Sequence, residues 1–483
     1  MEADIGLIGL AVMGQNLVLN MNDHGYSVAV YNRTHTVTEQ FLSGPAAGRS
    51  DIVGARSLEE LCASLARPRK VMLLIKAGAP VDEMLEHLGP FLESGDIVID
   101  GGNSYFEDTV RRVKSFGERG IHFVGMGVSG GEEGARNGPS LMPGGDAPAW
   151  AGVRSIFTDI AAKTATGESC CAWIGSEGAG HFVKMVHNGI EYGDMELIAE
   201  TYHLMREAYG MSAPAMADAF RDWNRTELES YLIEITEAIL RFPDPDGSPL
   251  VERILDSAGQ KGTGKWVSQT SLDAGVPLTL ITEAVFARFL SALVEERADA
   301  ADILEGPKAA AAAPTVTTLE DLRRALLAAK IVSYAQGFML MREVGSARGW
   351  DLDYGSIAQV WRGGCIIRSA FLDRIKQAFD RDAELPSLLV DTYFAGILGD
   401  CQAALRRVVA AAAATGVPIP SLSAALAFYD GYRCARLPAN LIQAQRDYFG
   451  AHTYERVDRP RGEFHHTDWT GTGGPATSNS YNA

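Results

Sequence analysis

What is scarce in this chain narrows it first. Cysteine is scarce: the six present (Cys62, Cys170, Cys171, Cys365, Cys401 and Cys434) form no CxxC pair and no regular spacing, so neither a disulfide scaffold nor a zinc site is expected, and no metal is assigned. Basic charge is scarce as well, with 43 Lys and Arg against 61 Asp and Glu, a net charge of −18. Nucleic acid demands a basic footprint and is not expected as a partner, whereas an anionic small molecule needs only a local cluster of Lys and Arg. Long apolar runs are missing too. None reaches the ~18 residues that span a bilayer, so no membrane partner is expected. The N-terminus passes from Met1-Glu2-Ala3-Asp4 into an apolar run with no basic n-region and no cleavage site, and a cytoplasmic location is expected. What remains, 46% apolar and 22% charged residues over 483 positions, is a globular composition too long for a single core.

The first third alternates short β runs with helical stretches. Residues 4–10 (DIGLIGL) read as a buried strand, 14–24 as a helix and 27–32 (SVAVYN) as a second strand. Further β runs follow at 71–76, 96–100 and 121–126, with a helix at 81–88. This βαβ alternation predicts a parallel, doubly wound sheet of the Rossmann type. After about Gly180 the pattern turns to long helical periodicity, and an internal echo appears. Leu204-Met205-Arg206-Glu207 recurs as Leu340-Met341-Arg342-Glu343, Trp223 as Trp361, and Ala274-Gly275-Val276-Pro277-Leu278 as Thr415-Gly416-Val417-Pro418-Ile419. Three matches in one order at nearly one offset predict a large all-α C-terminal domain built from a duplicated helical unit. The alanine run Ala309 to Ala313 before Pro314 reads as a helix end or linker between the copies. From about Arg446 the chain is polar and Gly-rich and reads as a tail. The expected division is 1–179 for a dinucleotide-binding domain, 180–445 for a helical substrate and dimerisation domain, and 446–483 for the tail.

Gly9-Leu10-Ala11-Val12-Met13-Gly14 closes the first strand and opens the first helix. There a pyrophosphate can rest on free backbone N–H groups and the helix dipole. The second glycine of the usual fingerprint is Ala11, whose methyl group should hold the pyrophosphate slightly off the turn. At the end of the second strand NAD enzymes keep a carboxylate for the ribose 2′-hydroxyl; this chain has Asn32, Arg33 and Thr34. With no carboxylate to repel a 2′-phosphate and an arginine to pair with it, NADP is the expected cofactor.

The most informative stretch runs from Gly180 to Gly193. Lys184, His187, Asn188, Glu191 and Tyr192 fall on one helical face, and Phe182, Met185, Val186, Gly189, Ile190 and Gly193 on the other. A solvated face would favour Glu, Lys and Arg over a His-Asn-Tyr grouping, so this face reads as a proton-transfer cluster. Lys184 and Glu191 stand two turns apart, about 10 Å along the axis, suited to flank a short carbon chain. Two glycines inside a helix each cost about 1 kcal/mol against alanine, which implies very close packing on the apolar side.

The stretches GLAVMGQN, NRT, HFVKMVHNGIEYGDM, GQKGTGKW and RDYFGAHTYER, in this order, resemble those of 6-phosphogluconate dehydrogenases over nearly the whole chain. The resemblance implies NADP-dependent oxidative decarboxylation of 6-phosphogluconate to ribulose 5-phosphate and carbon dioxide, with Lys184 as base and Glu191 as acid. It implies cofactor contacts at residues 9–14, at Asn32, Arg33 and Thr34, at Ile75, Lys76 and Ala77, and at Asn103. For the substrate it implies Asn103, Ser129, Gly130, Gly131, His187, Asn188, Tyr192, Lys261 and Arg288, with Arg446 and His452 supplied by the other subunit of a homodimer. The chemistry is consistent: a Gly-rich loop at Ser129 suits a carboxylate, and Lys261, Arg288 and Arg446 suit a phosphate.

Three other readings compete. Gly259 to Lys265 satisfies GxxxxGK, but Trp266 stands where a P-loop needs Ser or Thr for magnesium, and no strand is expected before it. A 3-hydroxyisobutyrate-type dehydrogenase shares the fingerprint and the lysine but lacks the duplicated helical half. A silent NADP-binding sensor would be favoured by loss of Lys184 or Glu191, and both are present.

Overall fold

A computed structural model describes residues 2–260, 262–307, 317–473 and 477–478. They fall into two compact units, Met1–Leu426 and Ala427–Ala483. The first unit opens with an eight-stranded sheet: β1 Ile5–Ile8, β2 Val28–Tyr31, β3 Ile52–Gly54, β4 Lys70–Leu73, β5 Ile97–Asp100, β6 His122–Ser129, β7 Ser140–Gly145 and β8 Gly175–Ser176. Their order is β3-β2-β1-β4-β5-β6-β7-β8. β1 and β5 are buried at every position, as expected of strands covered on both faces by helices.

The expected parallel sheet holds from β3 through β6 and fails at β7, which runs antiparallel to β6 from Ser129↔Ser140 to Val124↔Gly145. A parallel return needs a crossover connection of a dozen or more residues, usually a helix. The helix available between β6 and β7, Gly131–Asn137, has 7 residues, so the chain folds back beside the strand it has just left. Ser-Leu-Met-Pro-Gly-Gly carries turn residues in place of a β pattern, which is why this strand is not apparent from the sequence.

The helical part begins with Ala179–Glu207, 29 residues long, and repeats. Ala179–Glu207, Ala213–Trp223, Tyr231–Arg241, a 3-10 turn at Leu250–Arg253, Thr263–Asp273 and Thr279–Ser291 are followed, after Val294–Ile303, by Leu319–Arg348, Tyr354–Val360, Leu372–Arg381, a 3-10 turn at Leu388–Val390, Thr392–Thr415 and Pro420–Tyr432. Each copy thus has one long helix, two shorter ones, a 3-10 turn and two more helices. Trp223 is the last residue of the second helix of its copy, and Trp361 is the C-cap of the corresponding helix. The run Ala309 to Ala313 and Pro314 lie outside the described residues. Among those described, no helix is long and apolar enough to cross a membrane.

The second unit contains the segment read from sequence as a polar, Gly-rich tail, and it carries local structure. Arg446 lies within a helix, Ala439–Gly450, which is followed by a two-stranded antiparallel ladder of Tyr454–Glu455 with Phe464–His465. Its order is polar in origin. Asp447, 0% exposed, accepts hydrogen bonds from the backbone N–H of Thr453 and Thr467 and from the Trp469 indole, and its carboxylate pairs with His466. Apolar patterning carries no trace of such a hub.

Candidate active site

The Ala179–Glu207 helix sits hard against the sheet. A methyl group at Gly180 would overlap the carbonyl oxygens of Gly125 and Met142, and one at Gly127 would overlap the Lys184 side chain. Further along, a Cβ on Gly189 would meet the Val267 methyls at 3.0 and 3.1 Å, and one on Gly193 the Ser333 hydroxyl at 2.5 Å. The interior glycines therefore do what their cost implies, and let helices of both copies close on this one. The polar face is enclosed as a result: Lys184 is 6% exposed, and His187, Asn188 and Tyr192 are buried.

That face forms one wall of a cleft of about 620 Å³. The cleft brings together Asn103, Ser129, Gly130 and Gly131 from the ends of β5 and β6 and the turns that follow them, Lys184, Asn188, Glu191 and Tyr192 from the helix, and Arg288 from the Thr279–Ser291 helix. Met13 of the dinucleotide loop lines the same space. His187 lies just behind. Its Nε2 is 3.3 Å from the Ser129 hydroxyl, and its Nδ1 is 3.1 Å from Asn188 Oδ1, 3.4 Å from Lys184 Nζ and 3.7 Å from a Glu191 oxygen. A neutral imidazole donating through Nδ1 to Asn188 and accepting the Ser129 proton at Nε2 satisfies these contacts.

Burial sets the charges. It pulls the Lys184 ammonium below the usual lysine range, partly offset by Glu191. It pushes the Glu191 carboxyl up, opposed by Lys184 and Arg288. His187 is driven well below its ordinary value by burial and then by Lys184, which keeps the ring neutral. A base and an acid held on one face with their affinities for protons drawn toward each other suit two successive proton transfers. Arg288 lies flat on Tyr192, its guanidinium carbon 3.5 Å from the ring centroid, and donates to the Gly259 carbonyl at 3.2 Å. It stays a fixed cation at the cleft.

The residues expected to hold the dinucleotide lie at or just beyond the C-terminal ends of β1, β2, β4 and β5. Gly9 has φ of +107°, and a side chain there would strike the Leu74 carbonyl at 2.5 Å. The Val12–Asp23 helix starts at Ala11 with no side-chain cap, which leaves its first N–H groups for a phosphate. Asn32 shapes this loop, accepting from Leu10 N–H at 3.1 Å and donating to the Thr34 carbonyl at 3.1 Å. Arg33 is exposed beside it, and no carboxylate ends β2. These features fit a dinucleotide bearing a 2′-phosphate. Lys76 is exposed, and Ile75 and Ala77 are half-buried.

Lys261 lies outside the described residues. Arg446 and His452 belong to the second unit, where Arg446 donates to Gln443 at 3.1 Å and His452 Nδ1 is 3.1 Å from the Ser478 hydroxyl. Sequence reasoning missed several residues that line the cleft: Val128, Met195, Gly259, Gln260, Thr263 and Ile366. Gly259, Gln260 and Thr263 stand in the very stretch that mimics a P-loop, and no strand precedes it. Ile366 follows the Gly363-Gly364 pair of the second copy, a signal visible in sequence but with no local clue to where it points.

Residues 4–175 match the family described as "NAD binding domain of 6-phosphogluconate dehydrogenase", and residues 180–469 match "6-phosphogluconate dehydrogenase, C-terminal domain". The chain is 59% identical over 483 residues to the "6-phosphogluconate dehydrogenase, decarboxylating" of Rattus norvegicus, covering 100% of both chains. It is 57% identical over 480 residues to that of Haemophilus influenzae, covering 99% of each. A solved structure of the Plasmodium falciparum 6-phosphogluconate dehydrogenase, studied in its apo form and in complex with NADP+ and with 6-phosphogluconate, matches with a TM-score of 0.91 at 42% identity, over 96% of this chain and 100% of that one.

Proposed function

The chain belongs to the 6-phosphogluconate dehydrogenase family, and from that premise we propose that it converts 6-phosphogluconate to ribulose 5-phosphate and carbon dioxide while reducing NADP. The observation that carries the reading is the buried Lys184–Glu191 pair, with lysine affinity for protons lowered and glutamate affinity raised, in a cleft that Met13 of the dinucleotide loop also lines.

Residues 9–14 and the start of the Val12–Asp23 helix would hold the pyrophosphate and Arg33 the 2′-phosphate, with Ile75, Lys76, Ala77 and Asn103 completing the contacts. When bound there, NADP would supply the acceptor for the hydride that leaves C3 of the substrate. Neutral Lys184 takes the proton of the 3-hydroxyl as that bond to hydrogen breaks, leaving a 3-keto acid. Now protonated, Lys184 holds the keto oxygen while the bond between C1 and C2 breaks and carbon dioxide departs, so the electron pair is received as an enediol. Glu191 then delivers its proton to the carbon that lost carbon dioxide. The Ser129-Gly130-Gly131 loop suits the departing carboxylate, His187, Asn188 and Tyr192 the hydroxyls, and Arg288 with Lys261 the phosphate.

The working unit is a two-fold homodimer in which Arg446 and His452 serve the partner's site. The exposed apolar side chains Leu441, Ile442, Tyr448 and Phe449 on and around this helix support that reading, because a monomer seldom leaves such a group in water. The experiment is direct: NADPH formation and carbon dioxide release with 6-phosphogluconate, beside 3-hydroxyisobutyrate. Turnover confined to the second substrate would overturn the proposal.

A further inference from the structure

Arg112 is buried where an arginine is costly. It is 1% exposed in the middle of the Phe106–Gly117 helix, against Asp100, 0% exposed at the end of β5. A buried ion pair of this kind is a poor source of stability, since desolvation offsets most of the attraction. Its geometry suggests another use. Asp100 Oδ1 accepts from the Gly102 N–H at 3.1 Å, and its Oδ2 accepts from the Ser104 hydroxyl at 2.6 Å and from Arg112 Nη1 at 3.2 Å. The carboxylate thereby shapes the turn that carries Asn103.

The other edges of the guanidinium face different partners. Nη2 donates to the Gly78 carbonyl at 3.2 Å, and Nε to Asp82 at 2.9 Å, at the start of the Ala79–Leu88 helix. One rigid fork therefore spans two separate loops, 75–78 and 101–104. These loops touch each other and the dinucleotide turn: a Cβ on Gly102 would lie 3.1 Å from the Ile75 carbonyl, and one on Gly9 would lie 2.9 Å from the Ile75 side chain. Gly78 has φ of +87°, which glycine adopts freely, so the loop turns there and presents its carbonyl to Arg112.

We propose that Arg112 is a positioning residue for the cofactor: it ties the 75–78 loop to the Asn103 turn and so sets the surface on which NADP lies. This rests on the reading of those loops as the cofactor site. Lysine cannot replace it, because a single ammonium cannot face Asp100, Asp82 and the Gly78 carbonyl at once. Asp100 keeps its own bonds to Gly102 and Ser104 without Arg112, so the Asn103 turn should survive while the 75–78 loop is released.

The test is equilibrium binding by calorimetry on the full chain, with NADP and with 6-phosphogluconate separately. Arg112→Lys should raise the NADP dissociation constant about tenfold and leave that of 6-phosphogluconate within about twofold. An NADP constant within twofold of wild type overturns the proposal. So does an equal loss for both ligands, which is the mark of general damage. Should Arg112→Lys not fold, Asp82→Asn weakens the same tie from a site one-third exposed, and about threefold weaker NADP binding is expected; an unchanged value overturns the proposal equally. Failure of the wild-type chain to bind NADP at all would instead remove the assigned function.

Discussion

In the proposed mechanism Lys184 and Glu191 do opposite things with a proton, and the same burial prepares both. Lys184 has to be neutral to accept; its lowered affinity means that the neutral fraction grows as pH rises through a value below the ordinary lysine range. Glu191 has to be protonated to donate, and its raised affinity keeps the proton to a higher pH than an exposed glutamate would. The two interact, so the macroscopic steps belong to the pair. NADPH formation in a single turnover should therefore rise with pH through one step and level off, whereas steady-state turnover should fall again on the alkaline side. Lys184→Met should slow the single-turnover step on the order of 10²–10⁴-fold, while Glu191→Gln should leave that step and slow only turnover. Stopped-flow absorbance at the NADPH band measures both, and a single-turnover rate independent of pH would remove Lys184 as the base. That these two residues share a face is legible in a 14-residue stretch, because helical spacing is local. That the face is enclosed by Thr263 and Ile366 is not, since those residues arrive from other helices and the other copy.

Among the elements, the two long helices show what the duplication does. The offset that relates Leu204 to Leu340 also relates Glu200 to Gln336, and the offset that relates Val276 to Val417 relates Leu280 to Ser421. Glu200, on the long helix of the first copy, accepts from Ser421 N–H at 2.6 Å and Leu422 N–H at 2.8 Å at the start of the last helix of the second copy. Gln336, on the long helix of the second copy, accepts from Leu280 N–H at 3.1 Å and donates to the Thr279 hydroxyl at 3.0 Å in the first copy. Each copy thus caps the other's helix. The different cap residues follow from their targets: Thr279 offers an oxygen to an amide N–H, while its counterpart Pro420 does not, so a carboxyl group, its pKa pushed up to about 8 by burial, is used there. Glu200→Gln should then leave an amide N–H facing backbone donors and destabilise the fold by about 1–3 kcal/mol, read from urea unfolding; a change below about 0.5 kcal/mol would mean that the cap is not needed.

At the scale of the whole molecule, the substrate site proposed above would draw on Arg446 and His452, which belong to a polar segment ordered around Asp447. If that segment acts in the partner's site, a Lys184→Ala chain paired with an Arg446→Ala chain yields one site with both defects and one with neither. Co-expression of the two inactive variants should then restore about a quarter of wild-type activity, since about half of randomly assorted dimers are mixed and each keeps one intact site. Mixed dimers isolated through two different tags, with no more activity than either parent, would show that each arm serves its own chain.

Local patterns alone determined the βαβ start, the dinucleotide turn, the absence of a carboxylate after β2, the acid–base face and the doubling of the helical unit, because each is written within one helical or strand period or in a repeat of such periods. Tertiary structure decided the rest. The reversal at β7 follows from a helix too short to cross the sheet, the enclosure of Lys184 from glycine contacts between segments distant in sequence, and the order of the C-terminal unit from a buried carboxylate. The tie from Arg112 to two loops belongs with these: Asp100, Gly78 and Asp82 meet Arg112 only after β4, β5 and the helices that follow them have packed, and no spacing along the chain encodes that meeting.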